Sequence, residues 1–266
     1  MRWRYVSCGE LMNVRVRRAF RGAGFAAITG AMLPAFLARR SLTHGTSGRT
    51  LVRDRWVRRW SDALLQLFAV SAEVHGDVPA ATARGRLVVA NHRSTIDIAL
   101  LLRTFGGRMV SRADVAKWPL LGAAARGVGT IFVDRARAVS GASTVFTMKA
   151  ALDAGETVCL FPEGTTFAGD EVRPFHAGAF VAVRGTGAEI VPVGIAYQSG
   201  SGAAFVDEPF LAHLSRMASA EPTRVVACVG EPMTIGAGER AAMLSERVRH
   251  RVQALVGQAR SIVDAT

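Results

Sequence analysis

The sequence has few cysteines and lacks the signatures of several enzyme classes. Only three of its 266 residues are cysteine (Cys8, Cys159 and Cys228), and their spacing does not match a metal-binding set. We therefore expect ordinary thiols in a reducing compartment and no metal site. The sequence contains no Gly-x-x-x-x-Gly-Lys phosphate loop and no Gly-x-Ser-x-Gly nucleophile elbow. These absences argue against a P-loop nucleotide hydrolase and an α/β-type serine hydrolase.

Acidic residues are scarce in the first sixty positions. Residues 1–60, which we call the basic arm, contain thirteen arginines against Glu10 and Asp54, a net charge of +11, whereas residues 61–266 carry +1. A basic arm on a near-neutral body predicts attraction to an anionic surface, either a membrane or a nucleic acid. Because the residues between the arginines are apolar, we favour a membrane and expect no nucleic-acid partner.

The apolar segment of this arm, Gly22–Ala38, is borderline in length for a helix that spans a bilayer. Arginines flank it on both sides, and Pro34 should kink a helix. A secretory signal is the competing interpretation, although no convincing small-residue cleavage site follows. We expect a shallow or re-entrant helix in one leaflet.

A second segment, Arg53–Val74, has helical periodicity. Its apolar face consists of Trp56, Trp60, Leu64, Leu67 and Phe68. Tryptophan beside arginine suits a helix at the level of the lipid headgroups. A surface helix packed on the domain fits the same pattern, and both alternatives stay open. We predict that residues 1–75 form a membrane-docking helix pair and that residues 76–266 form the enzyme domain.

After Gly76, short β-type runs alternate with helix-compatible segments. The predicted strands are Leu87–Ala90, Arg108–Ser111, Thr130–Val133, Val158–Phe161, Ile190–Ala196 and Val225–Val229. The predicted helices are Ile96–Arg103, Val139–Ala154, Gly178–Arg184 and Glu239–Arg260. This alternation predicts an α/β fold with a largely parallel sheet flanked by helices.

The first chemical motif, NHRSTID at residues 91–97, directly follows the strand Leu87–Ala90. A histidine that leaves a strand, with an aspartate five residues later in the first helical turn, can form an imidazole–carboxylate pair. In such a pair Asp97 would fix the tautomer of His92, whose other nitrogen could accept a proton from a hydroxyl. The spacing alone also fits a strand-end histidine and an aspartate that favours a helix N-terminus.

Three further blocks follow in order. GTIFVDR, at residues 129–135, is a buried strand with Arg135 at its C-terminal end, where a guanidinium could bind phosphate or pair with a surface acid. FPEGTT, at residues 161–166, is a strand followed by a turn in which Glu163 could orient a ligand hydroxyl or hold an arginine, and Gly164 permits close backbone approach. VPVGI, at residues 191–195, is a fully apolar strand that we expect in the core, where one end could line an acyl groove.

Together and in this order, the four blocks resemble the glycerolipid acyltransferase family, which includes the lysophosphatidic acid (1-acylglycerol-3-phosphate) acyltransferases. The family signature is His-x-x-x-x-Asp, Gly-x-x-Phe-x-x-Arg, Phe-Pro-Glu-Gly-Thr and a Val-Pro-Val-type strand. The match covers roughly Leu87 to Tyr197. The basic apolar and amphipathic helices also resemble the membrane-docking element of the family.

The resemblance implies that His92 is a general base oriented by Asp97. The base would activate the free hydroxyl of a lysophospholipid, which attacks the thioester of an acyl-CoA or acyl carrier protein without an acyl-enzyme. Backbone amides near Gly164 are the candidates for stabilising the oxyanion. Arg135, Glu163, Gly164 and Thr165 are the implied substrate-binding residues. No metal or redox cofactor is implied, and we expect the enzyme at the cytoplasmic face of the inner or plasma membrane.

Three positions depart from the common family pattern. The family often has Arg where this chain has Thr166, Lys where Arg112 stands, and Phe-Lys where this chain has Phe175 and His176. Arg112 and Arg173 are the candidates to supply the missing headgroup charge. Lysophosphatidic acid is the expected acceptor, and lyso-ornithine lipid is an alternative. A thioesterase and a non-catalytic membrane-binding protein are the alternative functions.

Overall fold

A computed structural model describes residues 13–80, 84–118, 120–134, 138–206 and 208–265. The helices are α1 (Val14–Ser41), α2 (Thr46–Leu67), α3 (Ile96–Phe105), α4 (Leu121–Gly127), α5 (Ala138–Asp153), α6 (Phe210–Ser219) and α7 (Ala241–Asp264). The strands are β1 (Val70–His75), β2 (Arg86–Ala90), β3 (Arg108–Arg112), β4 (Ile131–Val133), β5 (Thr157–Leu160), β6 (Glu189–Tyr197) and β7 (Thr223–Val229). Short 3-10 helices cover Ala113–Lys117 and Ala177–Val183.

The seven strands form one sheet in the order β1-β7-β6-β2-β5-β3-β4. The five strands from β6 to β4 are parallel, β7 is antiparallel to β6, and β1 is parallel to β7. The predicted α/β fold with a largely parallel sheet is therefore confirmed. The predicted strands and helices after Gly76 also occur, except that Gly178–Arg184 is a 3-10 helix instead of an α-helix.

The sheet has helices on both faces, and β2 shows why its residues form a strand there. Leu87 and Val89 pack with Met148 and other side chains of α5 and α7 on one face. Val88 packs with Leu100 of α3 and with α2 on the other face. Because alternate side chains point to opposite faces, a central parallel strand must be apolar at every position. All five residues of β2 are buried.

The helix predicted over Arg53–Val74 is wrong at its C-terminal end. Helix α2 ends at Leu67, and residues 70–75 form β1, which pairs with β7 in the register Val70 to Thr223. The apolar spacing of this stretch fits a helix, but pairing with a strand about 150 residues later decides the conformation. The sheet therefore includes residues that we predicted to belong to the membrane-docking helix pair.

Helices α1 and α2 are antiparallel neighbours. Trp60 Nε1 donates to Thr29 Oγ1 at 3.1 Å, and the rings of Phe36 and Trp56 lie 6.2 Å apart. In the structure the tryptophan face packs against α1, and its predicted position at the lipid headgroups stays a prediction. Helix α1 runs unbroken through Pro34. By length and composition it is apolar enough to cross a membrane, and few of its residues are buried.

Candidate active site

The first two motifs meet at one edge of the sheet. Parallel strands β2 and β5 end at Ala90 and Leu160, so the segments that follow them emerge side by side. The Asn91 side chain fixes the exit from β2, because its Nδ2 donates to the Ile195 carbonyl at 2.9 Å and its Oδ1 accepts from the Ile195 amide at 2.8 Å. His92 therefore leaves the sheet in a defined direction.

The structure places His92 and Asp97 in direct contact. His92 Nδ1 lies 2.9 Å from Asp97 Oδ2. The same oxygen accepts the amides of Arg93 at 2.6 Å and Ser94 at 2.8 Å, while Oδ1 accepts the hydroxyl of Tyr197 at 2.5 Å. Four donors hold this fully buried carboxylate at the start of α3. We call residues 92–97 the dyad turn.

The contact with Asp97 determines the tautomer of the His92 ring. A carboxylate at Nδ1 requires a proton on that nitrogen, so Nε2 of the neutral ring carries the lone pair. The ring stacks on Phe161, with centroids 3.9 Å apart and planes 7° apart. The side chain remains 16% exposed, and no described residue forms a hydrogen bond to Nε2. The arrangement can take a proton from a hydroxyl brought to Nε2.

Burial raises the pKa of the Tyr197 hydroxyl well above its ordinary value, and the neighbouring Asp97 raises it further. The tyrosine therefore remains a protonated donor to Asp97 at ordinary pH. Tyr197 was not predicted from the sequence, because it lies 100 positions from Asp97. Its location at the C-terminal end of a parallel strand is the signal that could have found it.

Glu163 lies beneath the dyad turn. Its carboxylate accepts the amides of His92 at 2.6 Å and Arg173 at 2.9 Å, and both oxygens lie 3.2 Å from Arg93 Nη1. Of the two roles that the sequence left open for Glu163, the structure shows that it holds an arginine. Its side chain has no exposed surface, so we assign it a positioning role in place of the expected contact with the acceptor headgroup.

Arg93 joins the dyad turn to the loop that follows β5. Its guanidinium also donates to the carbonyls of Gly169 and Glu171, the second at 2.7 Å. Sequence reasoning missed this residue, because nothing in the pattern distinguishes an arginine inside the motif from a solvated one. The buried pair with Glu163 explains why the two motifs keep a fixed relative position.

The other predicted substrate-binding residues differ in their surroundings. Gly164 has a φ of 86°, and its amide donates to the Phe161 carbonyl at 3.1 Å, so that amide forms the turn and is not available to an oxyanion. Thr165 is exposed directly beside it. Arg112 pairs with an exposed acid, Asp114, at 2.8 Å. Arg135 lies outside the described residues.

Arg173 lies on the surface near the dyad turn. Its guanidinium pairs with Glu171 at 3.3 Å and lies 5.4 Å from the centre of the Phe167 ring. Both Arg112 and Arg173 are thus partly neutralised by a neighbouring carboxylate. The described part of the site presents less free positive charge than the sequence suggested.

An apolar cavity opens beside the dyad turn. It lies between α1, α2, α3 and α4 and has an empty volume of about 780 Å³, which includes the open solvent at its mouth. Its lining includes Phe36, Trp56, Trp60, Ile98 and Leu102. Strand β6, which carries the VPVGI block, is buried core and does not line it.

Cys159 and Cys228 are buried free thiols, and burial raises the pKa of Cys159 to about 12. They are therefore not poised as nucleophiles. Across the described ranges, no group of three or more His, Cys, Asp or Glu side chains is arranged to hold a metal ion.

Comparison with known proteins relates this site to one family. A sequence model of the Acyltransferase family matches residues 71–196. The chain is 32% identical over 217 residues to the lyso-ornithine lipid O-acyltransferase of Pseudomonas aeruginosa, covering 79% of this chain and 82% of that protein. It is 27% identical over 150 residues to the 1-acyl-sn-glycerol-3-phosphate acyltransferase of Neisseria meningitidis, covering 56% and 58%.

The fold is also that of a solved structure. The 1-acyl-sn-glycerophosphate acyltransferase PlsC from Thermotoga maritima superposes with a TM-score of 0.69 over 92% of this chain and 97% of that chain, at 21% identity. The matched segment contains all four motifs, including the His92–Asp97 pair and the turn of Glu163. The chain therefore belongs to the Acyltransferase family and is an acyltransferase.

Proposed function

We propose that the protein transfers a fatty acyl group from an acyl-CoA or acyl carrier protein to the free hydroxyl of a lysolipid. The observation that carries this proposal is the 2.9 Å contact between His92 Nδ1 and Asp97, which leaves the lone pair on Nε2. His92 takes the hydroxyl proton as the oxygen attacks the thioester carbonyl. The tetrahedral intermediate then collapses, the thiolate leaves, and the imidazolium returns the proton to it.

The oxyanion of that intermediate requires donors aimed at it. We assign this role to the backbone amide of Thr165, because the amide of Gly164 is already used within the turn. Thr165 is exposed and directly follows Glu163 and Gly164, which fix the turn beside His92. In this proposal Glu163 and Arg93 position the reacting groups without touching the substrate.

For the acceptor, we favour lyso-ornithine lipid over the expected lysophosphatidic acid. A phosphate monoester calls for unpaired cations, but Arg112 and Arg173 each lie against a carboxylate, and Thr166 stands where relatives often have arginine. An ornithine headgroup carries an amine as well as a carboxylate. The similarity to the Pseudomonas aeruginosa enzyme supports this choice. Lysophosphatidic acid remains the second candidate, supported by the similarity to the Neisseria enzyme.

The apolar cavity and α1 suit lipid substrates. We propose that the cavity lined by Trp56, Ile98 and Leu102 receives an acyl chain, because it begins one residue after Asp97 and is almost entirely apolar. Helix α1 would hold the enzyme at the membrane that contains both lipids, and we place it at the cytoplasmic face. No metal or redox cofactor takes part in the proposed reaction.

An acceptor screen tests the proposal. Purified protein in detergent is incubated with oleoyl-CoA or oleoyl-acyl carrier protein and, separately, with lyso-ornithine lipid, lysophosphatidic acid and lysophosphatidylethanolamine, and products are identified by mass. We expect diacylated product from lyso-ornithine lipid, with His92→Ala reduced by about 10²- to 10⁴-fold. His250→Ala, at an exposed histidine on α7, is the matched control and should retain wild-type rates.

Three results would contradict the proposal. Wild-type rates in His92→Ala would remove the general base, and thiol release without any acylated acceptor would indicate a thioesterase in which His92 activates water. Membrane binding without thiol release from either donor would instead support a non-catalytic lipid-binding protein.

A further inference from the structure

A second histidine–carboxylate pair contacts the dyad turn from the side of α6. His213 Nδ1 lies 3.0 Å from Glu208 Oε1, and His213 Nε2 lies 3.0 Å from Thr95 Oγ1. The imidazole is fully buried and stacks on Phe205 with centroids 4.3 Å apart. Thr95 lies between His92 and Asp97 in the sequence, so this pair reaches the turn that carries the dyad.

Two groups face Nδ1 of this second pair. Glu208 Oε1 lies 3.0 Å and Arg216 Nη2 lies 2.9 Å from His213 Nδ1, and the Thr95 hydroxyl either donates to His213 Nε2 or accepts from it, according to the tautomer. Burial lowers the pKa of His213 and favours the neutral ring, an effect that the hydrogen bond with Glu208 opposes and the nearby guanidinium of Arg216 reinforces. Arg216 also pairs with Glu208 and holds that carboxylate in place. The Thr95 hydroxyl is therefore tied to His213 in either tautomer.

The same segment holds the dyad turn at a second point. The amide of Phe205 donates to the carbonyl of Arg93 at 2.8 Å. The turn is thus held by Glu163 on one side and by Phe205 and His213 on another. Within the turn, Asp97 Oδ2 accepts the amides of Arg93 and Ser94. Because Thr95 lies between these donors and Asp97, its rotation would move both the backbone donors and the carboxylate relative to His92.

Helix α6 is itself anchored to α1. Arg17 and Arg21 of α1 are buried, although they belong to the basic arm. Arg17 Nη2 donates to the Ser219 carbonyl at 2.8 Å, and Arg21 Nη1 donates to the Ala220 carbonyl at 2.6 Å. The last carbonyls of a helix have no partner within the helix, and cations there are favourable. Helix α6 therefore connects the apolar N-terminal helix to the dyad turn.

We infer that His213 is a positioning residue for acyl transfer, holding the His92–Asp97 pair in its reactive geometry through the hydroxyl of Thr95. This inference rests on the proposed role of His92. It requires no contact between His213 and substrate. A small displacement of a catalytic group is enough to slow a reaction substantially, so the expected effect is on turnover and not on substrate affinity.

A double-mutant cycle on Thr95 and His213 tests the inference. The variants are Thr95→Val, which removes only the hydroxyl, His213→Phe, which keeps a ring against Phe205, and the two combined. We expect each single variant to lower kcat about tenfold with KM for both substrates unchanged within twofold. The double variant should also be about tenfold slower, because either change breaks the same bond. His213→Gln, whose side-chain amide can accept from Thr95 or donate to it, should recover much of the lost kcat.

His250→Phe is the control, because it makes the same substitution at an exposed histidine–glutamate pair on α7. It should retain the wild-type kcat. Thermal melts of every variant check folding. If His213→Phe does not fold, Thr95→Val still tests the inference, because Thr95 is only half-buried.

The outcomes separate this inference from the proposed function. Wild-type kcat in both single variants, or about hundredfold loss in the double variant, would overturn the role of His213 while acyl transfer stands. Recovery of an acylated Thr95 peptide from the wild type would also overturn it, since Thr95 would then be a nucleophile. A wild type that acylates no lysolipid would instead refute the proposed function.

Discussion

Arg93 and Glu163 form a buried ion pair that connects the two central motifs of the active site. Arg93 Nη1 lies 3.2 Å from both carboxylate oxygens, and the side chains are 4% and 0% exposed. The same carboxylate accepts the amide of His92. The position of His92, the proposed general base, is therefore set by a residue of the other motif, 71 positions further along the chain.

Glu163→Ala should destabilise the protein strongly. The substitution leaves the Arg93 charge and two backbone amides buried without their acceptor, and breaking such a pair typically costs about 3–5 kcal/mol. Urea unfolding monitored by circular dichroism measures this change. Asp153→Ala, which removes an exposed partner of Lys149, is the control and should change the free energy of unfolding by at most about 1 kcal/mol. Equal effects in the two variants would show that the buried pair contributes little.

Gly194→Ala should disrupt the packing of α7 on β6. A Cβ at this position would lie 2.2 Å from the backbone nitrogen of Val256, and a helix backbone cannot yield as a flexible side chain does. We expect a loss of about 3 kcal/mol or more in the free energy of unfolding. The matched control is Gly257→Ala at an exposed position of α7, where a Cβ meets open space; it should be neutral or stabilise by up to about 1 kcal/mol. A fully stable Gly194→Ala variant would contradict the close packing.

Tyr197→Phe should change how stability depends on alkaline pH. In the unfolded chain Tyr197 loses its proton near pH 10, but in the folded protein burial and Asp97 raise the pKa well above that value. The protonated tyrosine therefore stabilises the fold below pH 10, and this contribution is lost as pH rises above 10. Melting temperatures measured from pH 8 to pH 11 should fall more steeply for the wild type than for Tyr197→Phe. Parallel curves would show that the hydroxyl ionises as readily in the folded state.

Charges on the exposed face of α1 should weaken membrane binding. Val16 and Phe20 are more than half exposed and lie one turn apart, so Val16→Glu with Phe20→Glu places two charges where we propose lipid contact. In flotation with phosphatidylglycerol vesicles, less of this variant should rise with the lipid. Phe146→Glu, at an exposed phenylalanine on α5, is the control and should float like the wild type. Substitution is preferred to deletion of residues 1–75, since deletion also removes β1 from the sheet.

The α/β fold could be predicted from the sequence because each strand is a continuous local run of apolar residues. Strands such as Leu87–Ala90 are buried on both faces, so every residue is apolar and the run is visible without the structure. The same locality applies to His92 and Asp97, which are five residues apart and join a strand to a helix. Family membership followed from four such local motifs in a fixed order.

The tertiary structure alone decided the features that depend on distant partners. Residues 70–75 have apolar spacing compatible with a helix, and only pairing with β7 makes them a strand. Arg93 and His213 carry no pattern that separates them from surface residues, and the strand-end position of Tyr197 does not identify its partner. Their roles arise because Glu163, Asp97 and Thr95 lie 70, 100 and 118 positions away and are brought within hydrogen-bonding distance by the fold. Sequence periodicity reports burial, whereas the partner of a buried polar group is determined by which chain segments the fold brings together.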